Sequence, residues 1–160
     1  MLALYRILIV EDDKSISQRL ANHLIKNGFE AIVADQYEAI DEVFRQTAPH
    51  VVLLDVNLPR FDGYYWCKRI RRISNCPIIF ISARDGEMDQ VLAIEQGADD
   101  FITKPFYYDV VLAKIRSQIR RCYGDLAGSP LESEREIHFH GLTFYPERPE
   151  VLFRGQRVSL

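Results

Sequence analysis

The run Val51-Val52-Leu53-Leu54 leads without a break into Asp55, and Val56-Asn57-Leu58-Pro59 follows at once. Four apolar residues in a row read as a strand covered on both faces, which belongs at the centre of a parallel sheet. In an open sheet of that kind the ligand crevice lies beyond the carboxyl ends of the strands. An acid in that position therefore faces solvent and chemistry rather than core, and Asp55 becomes the first candidate functional residue. The plainer alternative is a capping or surface aspartate. The rest of the chain decides between them.

Taken in order, Arg6 to Val10 reads as a first buried strand ending in Glu11-Asp12-Asp13. Asp13 is placed to cap a helix whose apolar stripe is Ile16, Leu20 and Leu24, with Gly28 as its stop. Phe29 to Ala34 follows as a second strand, and Ala39, Ile40, Val43 and Phe44 give the inward face of a second helix that stops before Pro49. After the central strand, Asp62-Gly63 turns into a third helix through Arg72. Pro77 to Ser82 reads as a fourth strand, Glu87 to Gln96 as a helix closed by Gly97, and Asp100 to Thr103 as a fifth strand running into Lys104-Pro105. Val111, Ile115 and Ile119 mark a last helix through about Cys122. Five strands alternating with five helices predict an α/β sheet with right-handed crossovers.

At 160 residues, the chain has room for one full domain and part of another. From Tyr123 to Glu136 the pattern breaks into Gly, Asp, Ser, Pro and Glu, a linker composition. Residues 137–160 change to short alternating runs around 142–145 and 151–153, as expected of an antiparallel meander. A formal charge of -3 supplies no bulk attraction for nucleic acid or an anionic membrane. The opening apolar stretch is too short to span a bilayer and lacks a cleavage site. Cys67, Cys76 and Cys122 are odd in number and form no C-x-x-C pair, which favours inert thiols in a reducing cytosol.

The polar residues at the carboxyl ends of the strands are Glu11, Asp12 and Asp13 after the first, Asp55 after the third, Ser82 after the fourth and Lys104 after the fifth. With the strand order 2-1-3-4-5, the first and third strands are neighbours, so the acids and Asp55 converge at the switch point. Carboxylates that close repel by about 4 kcal/mol per pair at an effective dielectric of 20 and need a cation. An oxygen-only pocket suits Mg²⁺. Metal and lysine together would neutralise a phosphoryl group, leaving one carboxylate free to attack phosphorus. His138 and His140 share a strand face without a third ligand. Arg69, Arg71, Arg72, Arg120 and Arg121 read as solvated helix ends.

Glu11-Asp12-Asp13, Asp55 within L-L-D-V-N-L-P, Ser82-Ala83-Arg84, and Gly97-Ala98-Asp99-Asp100-Phe101 running into Thr103-Lys104-Pro105-Phe106 together resemble the receiver domain of bacterial two-component response regulators of the OmpR/PhoB type. The resemblance covers residues 4–122. It implies a flavodoxin- and CheY-like, doubly wound, five-stranded parallel sheet. It also implies that Asp55 accepts a phosphoryl group from a sensor histidine kinase. By the same resemblance Asp12 binds Mg²⁺ directly, Glu11 acts through water, Asn57 lends a backbone carbonyl, and Lys104 contacts the phosphoryl group from before a cis Pro105. Ser82 and Phe101 match the switch pair, with Phe101 in place of the commoner tyrosine. A homodimer through the fourth helix, fifth strand and fifth helix is implied, with Asp99, Asp100, Lys114 and Arg121 as interface charges. Gln90 and Val110 stand where a further ion pair is usual.

Residues 123–136 would then be the linker, and 137–160 the incomplete opening sheet of a winged-helix effector. Promoter DNA is expected as a partner of the intact parent only, because the sequence given ends before a helix-turn-helix. The protein is expected to be a cytoplasmic signalling switch and not a turnover enzyme: an aspartyl phosphatase would need a general acid where Asn57 stands. The alternative is a stand-alone or pseudo-receiver that works by protein contact. Tyr65-Trp66-Cys67, Ser74-Asn75-Cys76-Pro77 and Met88-Asp89-Gln90-Val91 further resemble regulators of antimicrobial-peptide and bacitracin resistance.

Overall fold

The computed structural model describes residues 4–83 and 87–124, with residues 87–89 by backbone alone, and the backbone of four short strands at 137–139, 142–145, 150–153 and 156–159. The elements of the larger part are β1 (Arg6–Val10), α1 (Lys14–Lys26), β2 (Glu30–Val33), α2 (Ile40–Thr47), β3 (Val51–Asp55), α3 (Gly63–Arg71), β4 (Ile78–Ser82), α4 (Glu87–Glu95), β5 (Asp100–Thr103) and α5 (Tyr108–Tyr123). All strand pairs are parallel, and the order is β2-β1-β3-β4-β5, as the sequence reading requires. Every residue of β3 and β4 is buried, which explains their unbroken apolar runs: each face of the sheet is covered by helices. On one face Ile7, Ile9, Leu53, Ile79 and Ile81 pack with residues of α1 and α5. On the other, Leu8, Val10, Val52, Leu54 and Phe80 pack with residues of α2 and α3 and with Ala93 of α4.

The helix ends follow from local chemistry. Asp13 caps α1, accepting from the backbone N–H of Ser15 (3.0 Å) and Ile16 (3.2 Å), and Gly28 takes a positive φ of 91° just beyond the helix. At the end of α2, Ala48 is left-handed with φ 46°. The Arg6 guanidinium holds that turn by donating to the carbonyls of Thr47 and Ala48. Tyr123, expected to begin the linker, instead ends α5. It is buried, its hydroxyl donates to the His50 carbonyl at 2.9 Å, and its ring packs edge-on against His50. The change in composition thus begins one residue too early to mark the helix end. Residues 125–136 of the expected linker lie outside the described residues.

Strands β6 (Ile137–Phe139), β7 (Leu142–Tyr145), β8 (Glu150–Phe153) and β9 (Gln156–Ser159) pair antiparallel in sequence order. The side chains of His138 and His140 lie outside the described residues. Among the described residues no helix is long and apolar enough to cross a membrane.

His50 gives the domain an acid-sensitive point. Its ring is fully buried and accepts from the Arg6 N–H at 2.9 Å. Burial, and then the nearby Arg6 charge, push its pKa down to about 3. In the unfolded chain the imidazole titrates near its ordinary value of about 6.5. Between these values the unfolded state binds more protons, so stability falls as pH falls through that window. In urea titrations the unfolding free energy should drop on going from about pH 7 to about pH 4.5, and His50→Gln should shrink that drop by about 2 to 3 kcal/mol. An equal drop in parent and variant would contradict a buried neutral imidazole.

Candidate functional site

β1, β3 and β5 lie in one sheet and end at the same edge, so the groups that follow them meet there. Glu11 and Asp55 are buried, with 1% and 3% exposure, while Asp12 and Asn57 are exposed. One carboxylate oxygen from each of Glu11, Asp12 and Asp55 lies within 4.8 Å of the others. The two buried acids are oriented by the chain beyond them: Glu11 Oε2 accepts from the Asp13 N–H at 3.0 Å and Asp55 Oδ1 from the Asn57 N–H at 3.3 Å. Tyr37, on the turn before α2, reaches the Glu11 carbonyl with its hydroxyl at 3.4 Å.

The positive charge in this pocket comes from Lys104. Its ammonium stands 2.5 Å from Glu11 Oε1 and 3.2 Å from Asp55 Oδ2. Its backbone N–H donates to the Ser82 carbonyl at 2.8 Å, and a cis peptide joins it to Pro105. Burial raises the Glu11 pKa, and the Lys104 hydrogen bond only partly offsets it. Asp12, though exposed, is raised by partial desolvation and then by the Glu11 charge. Burial works against the Lys104 ammonium, but the Glu11 hydrogen bond and the two acid charges outweigh it and raise its pKa. Among the described residues the pocket thus holds more negative charge than one lysine balances.

Three carboxylates presenting only oxygen fit a hard divalent cation, and the exposed Asp12 leaves room for retained water. Ser82 is buried at the same edge. Phe101 is half-buried and packs on the α2–α3 side of the sheet. It also lines an open cleft of about 340 Å³ with Gln90, Tyr107, Val110 and Lys114.

The four expected interface charges are not gathered into one cluster. Asp100 pairs with Lys114 at 2.8 Å, and Arg121 reaches Gln118 at 3.4 Å. Asp99 belongs to Arg71 (2.7 Å) and to the Ile78 N–H (2.9 Å). Arg71 also donates to the carbonyls of Gly97 and Cys76, tying the end of α3 to the starts of β4 and β5. The reading of Arg71 as a solvated helix end is therefore corrected, because these acceptors come together only in the fold. Arg69 is likewise engaged, with Asp41 of α2 at 2.7 Å.

Two contributors to the site escaped the sequence reading. Tyr37 sits in a loop with no pattern to mark it. The sequence marks Gly63 only as part of the turn into the third helix, yet a Cβ there would run into the Asp55 carbonyl and come within 3.0 Å of the Phe80 ring. Only glycine lets α3 start this close to the end of β3. Gly63→Ala should cost about 2 kcal/mol of unfolding free energy, read by urea denaturation, and a variant as stable as the parent would contradict that close packing.

Compared with known proteins, the chain matches the family model of the response regulator receiver domain over residues 7–116. It is 52% identical over 155 residues to the transcriptional regulatory protein YxdJ of Bacillus subtilis, covering 97% of this chain and 67% of that protein. To the response regulator protein GraR of Staphylococcus haemolyticus it is 43% identical over 118 residues, 74% of this chain and 53% of the relative. Among solved structures, the N-terminal domain of the nisin resistance regulator NsrR, a lantibiotic response regulator, superposes with a TM-score of 0.67 at 37% identity, over 72% of this chain and 98% of that one. The chain thus spans about two thirds of the length of one curated relative and about half of the other.

Proposed function

The chain belongs to the response regulator receiver family, and from that premise we propose that it is a phosphorylation switch in which Asp55 takes a phosphoryl group from a histidine kinase. The observation that carries this reading is the Lys104 ammonium set between Glu11 and Asp55 at the carboxyl edge of the sheet. An Asp55 carboxylate oxygen forms a bond to phosphorus as the phosphorus–nitrogen bond of the kinase phosphohistidine breaks. The electron pair leaves with the imidazole, which takes a proton from solvent. Lys104 neutralises the oxygens of the transferred group, and the Ser82 hydroxyl turns to donate to one of them, with Phe101 following inward. Asp12, Asp55, the Asn57 carbonyl and, through water, Glu11 would hold Mg²⁺, which would supply further charge neutralisation.

Asp55 is both acceptor and product in this scheme, so the chain acts as a switch and not as a turnover enzyme. Asn57 cannot supply the proton that an aspartyl phosphatase needs. For the output we propose a phosphorylation-favoured homodimer over α4, β5 and α5, where Val91, Leu92, Ile94 and Val110 are exposed. The absent Gln90–Val110 ion pair weakens such a dimer by no more than about 1 kcal/mol. Residues 137–160 are proposed as the opening sheet of an effector, and promoter DNA as the partner of the intact regulator in the cytoplasm. Likeness to NsrR, a nisin resistance regulator, supports a role in resistance to peptide antibiotics.

Intact mass after incubation with acetyl phosphate tests the switch. One added phosphoryl group in Mg²⁺, and a markedly slower gain with the metal chelated, is the expected result. No gain under either condition would favour a pseudo-receiver.

A further inference from the structure

The loop between β3 and α3 carries Asn57 and returns the chain from Asp55 to the third helix. It is closed at its base by the Gly63 N–H donating to the Val56 carbonyl at 2.8 Å. Asp62 caps α3 by accepting from the Tyr65 N–H at 2.9 Å. Between these two fixed points Arg60 holds a φ of +72°, a left-handed conformation that a long side chain rarely adopts and that persists only where its surroundings impose it. The next residue, Phe61, is 44% exposed, so burial alone gives little reason for its place. Its ring nevertheless folds back onto the helix it precedes, stacking on Tyr65 with centroids 4.2 Å apart and planes at 16°, and meeting the edge of buried Trp66 at 5.7 Å. Phe61 precedes the cap and Trp66 is the fourth residue of the helix, the spacing of a hydrophobic staple, which fixes the angle at which a chain enters a helix.

We infer that Phe61 is a positioning residue for the phosphoryl-accepting site: its stack on Tyr65 and Trp66 holds the strained β3–α3 loop in the shape that sets Asn57 against Asp55. The inference rests on the proposed role of Asp55 and Asn57. The link between ring and site is short. The Asn57 N–H touches Asp55 Oδ1 directly, and Asn57 lies four residues before Phe61, inside the same closed loop. Release of the staple lets Arg60 relax toward an ordinary conformation. The loop backbone then shifts at Asn57, while the sheet and the three acids stay where β1 and β3 put them.

The test uses this chain with Phe61→Ala and the conservative Phe61→Tyr, each measured by calorimetric Mg²⁺ titration and by thermal melting without metal. Phe61→Ala should weaken Mg²⁺ binding about tenfold, the lower end of what loss of an orienting partner costs a metal site, and Phe61→Tyr, which keeps the stack, should bind Mg²⁺ as the parent does. Equal affinity in Phe61→Ala and parent, even with a lowered melting point, would assign the ring a purely structural role and overturn the inference. An equal loss in both variants would overturn it too, because the stack would then not be the cause. If Phe61→Ala does not fold, Tyr65→Ala removes the stack from the other side and is read in the same way. Failure of the parent itself to bind Mg²⁺ would instead sink the underlying reading of the site.

Discussion

Lys104→Met should lower the unfolding free energy by about 2 to 4 kcal/mol at about pH 7 in metal-free buffer, and saturating Mg²⁺ should restore most of that loss. The lysine is the counter-charge within contact of two buried carboxylates, and removing one partner of a buried pair leaves an uncompensated charge. Its ammonium is partly exposed, with a side chain 19% accessible, so solvent screening keeps the effect at the lower end of what buried pairs show. A divalent cation stabilises the folded state by binding it in preference to the unfolded chain, and the gain should be larger in the variant than in the parent because more repulsion is relieved. The effect should also depend on pH. Burial already raises Glu11, and loss of the lysine raises it further. A folded-state acid with a raised pKa binds more protons than its unfolded counterpart, so stability falls as pH rises through that window. The penalty should therefore be smaller at about pH 5 than at about pH 7. Urea titrations at both values, with and without Mg²⁺, check this, and a variant indifferent to Mg²⁺ would break the link between lysine and acid cluster.

Asp55→Asn should reduce phosphoryl uptake by at least about a hundredfold while leaving the fold as stable as before or more so. The amide keeps the shape of the side chain but lacks an anionic oxygen to attack phosphorus. It also removes one charge from a cluster in which burial is the main cause of the raised Glu11 pKa and the Asp55 charge raises it further. Phosphorylation followed by intact mass and stability followed by urea should therefore move in opposite directions. A variant phosphorylated at the parental rate would mean that another acid is the nucleophile.

The parts of this arrangement that were legible in the sequence depend on neighbours close along the chain. β3 and β4 announced themselves as apolar runs because both of their faces are covered, and Asp13 and Asp62 announced helices because a cap bonds residues two or three positions ahead. α4 is harder to read: Val91, Leu92 and Ile94 are exposed around a fully buried Ala93, so its burial follows no apolar stripe. What could not be read depends on distant partners. The pairing of Lys104 with Glu11 spans most of the domain. Arg71 looks like any basic helix end until Cys76, Gly97 and Asp99 are brought to it. Tyr123 looks like linker until its hydroxyl meets the His50 carbonyl. Gly63 and Phe61 were visible as residues, but their tasks are a close approach and an entry angle, which exist only once α3 is set against β3.

The central claim, that Asp55 alone accepts the phosphoryl group, is tested most directly by chemical marking of the acyl phosphate. After phosphorylation with acetyl phosphate and Mg²⁺, borohydride reduces a phosphoaspartate to homoserine, and peptide sequencing by mass spectrometry locates the altered residue. Homoserine at position 55, with Asp12, Asp13 and Asp62 unchanged, is the predicted result. A reduced residue at any of those other positions, with Asp55 intact, would contradict the account.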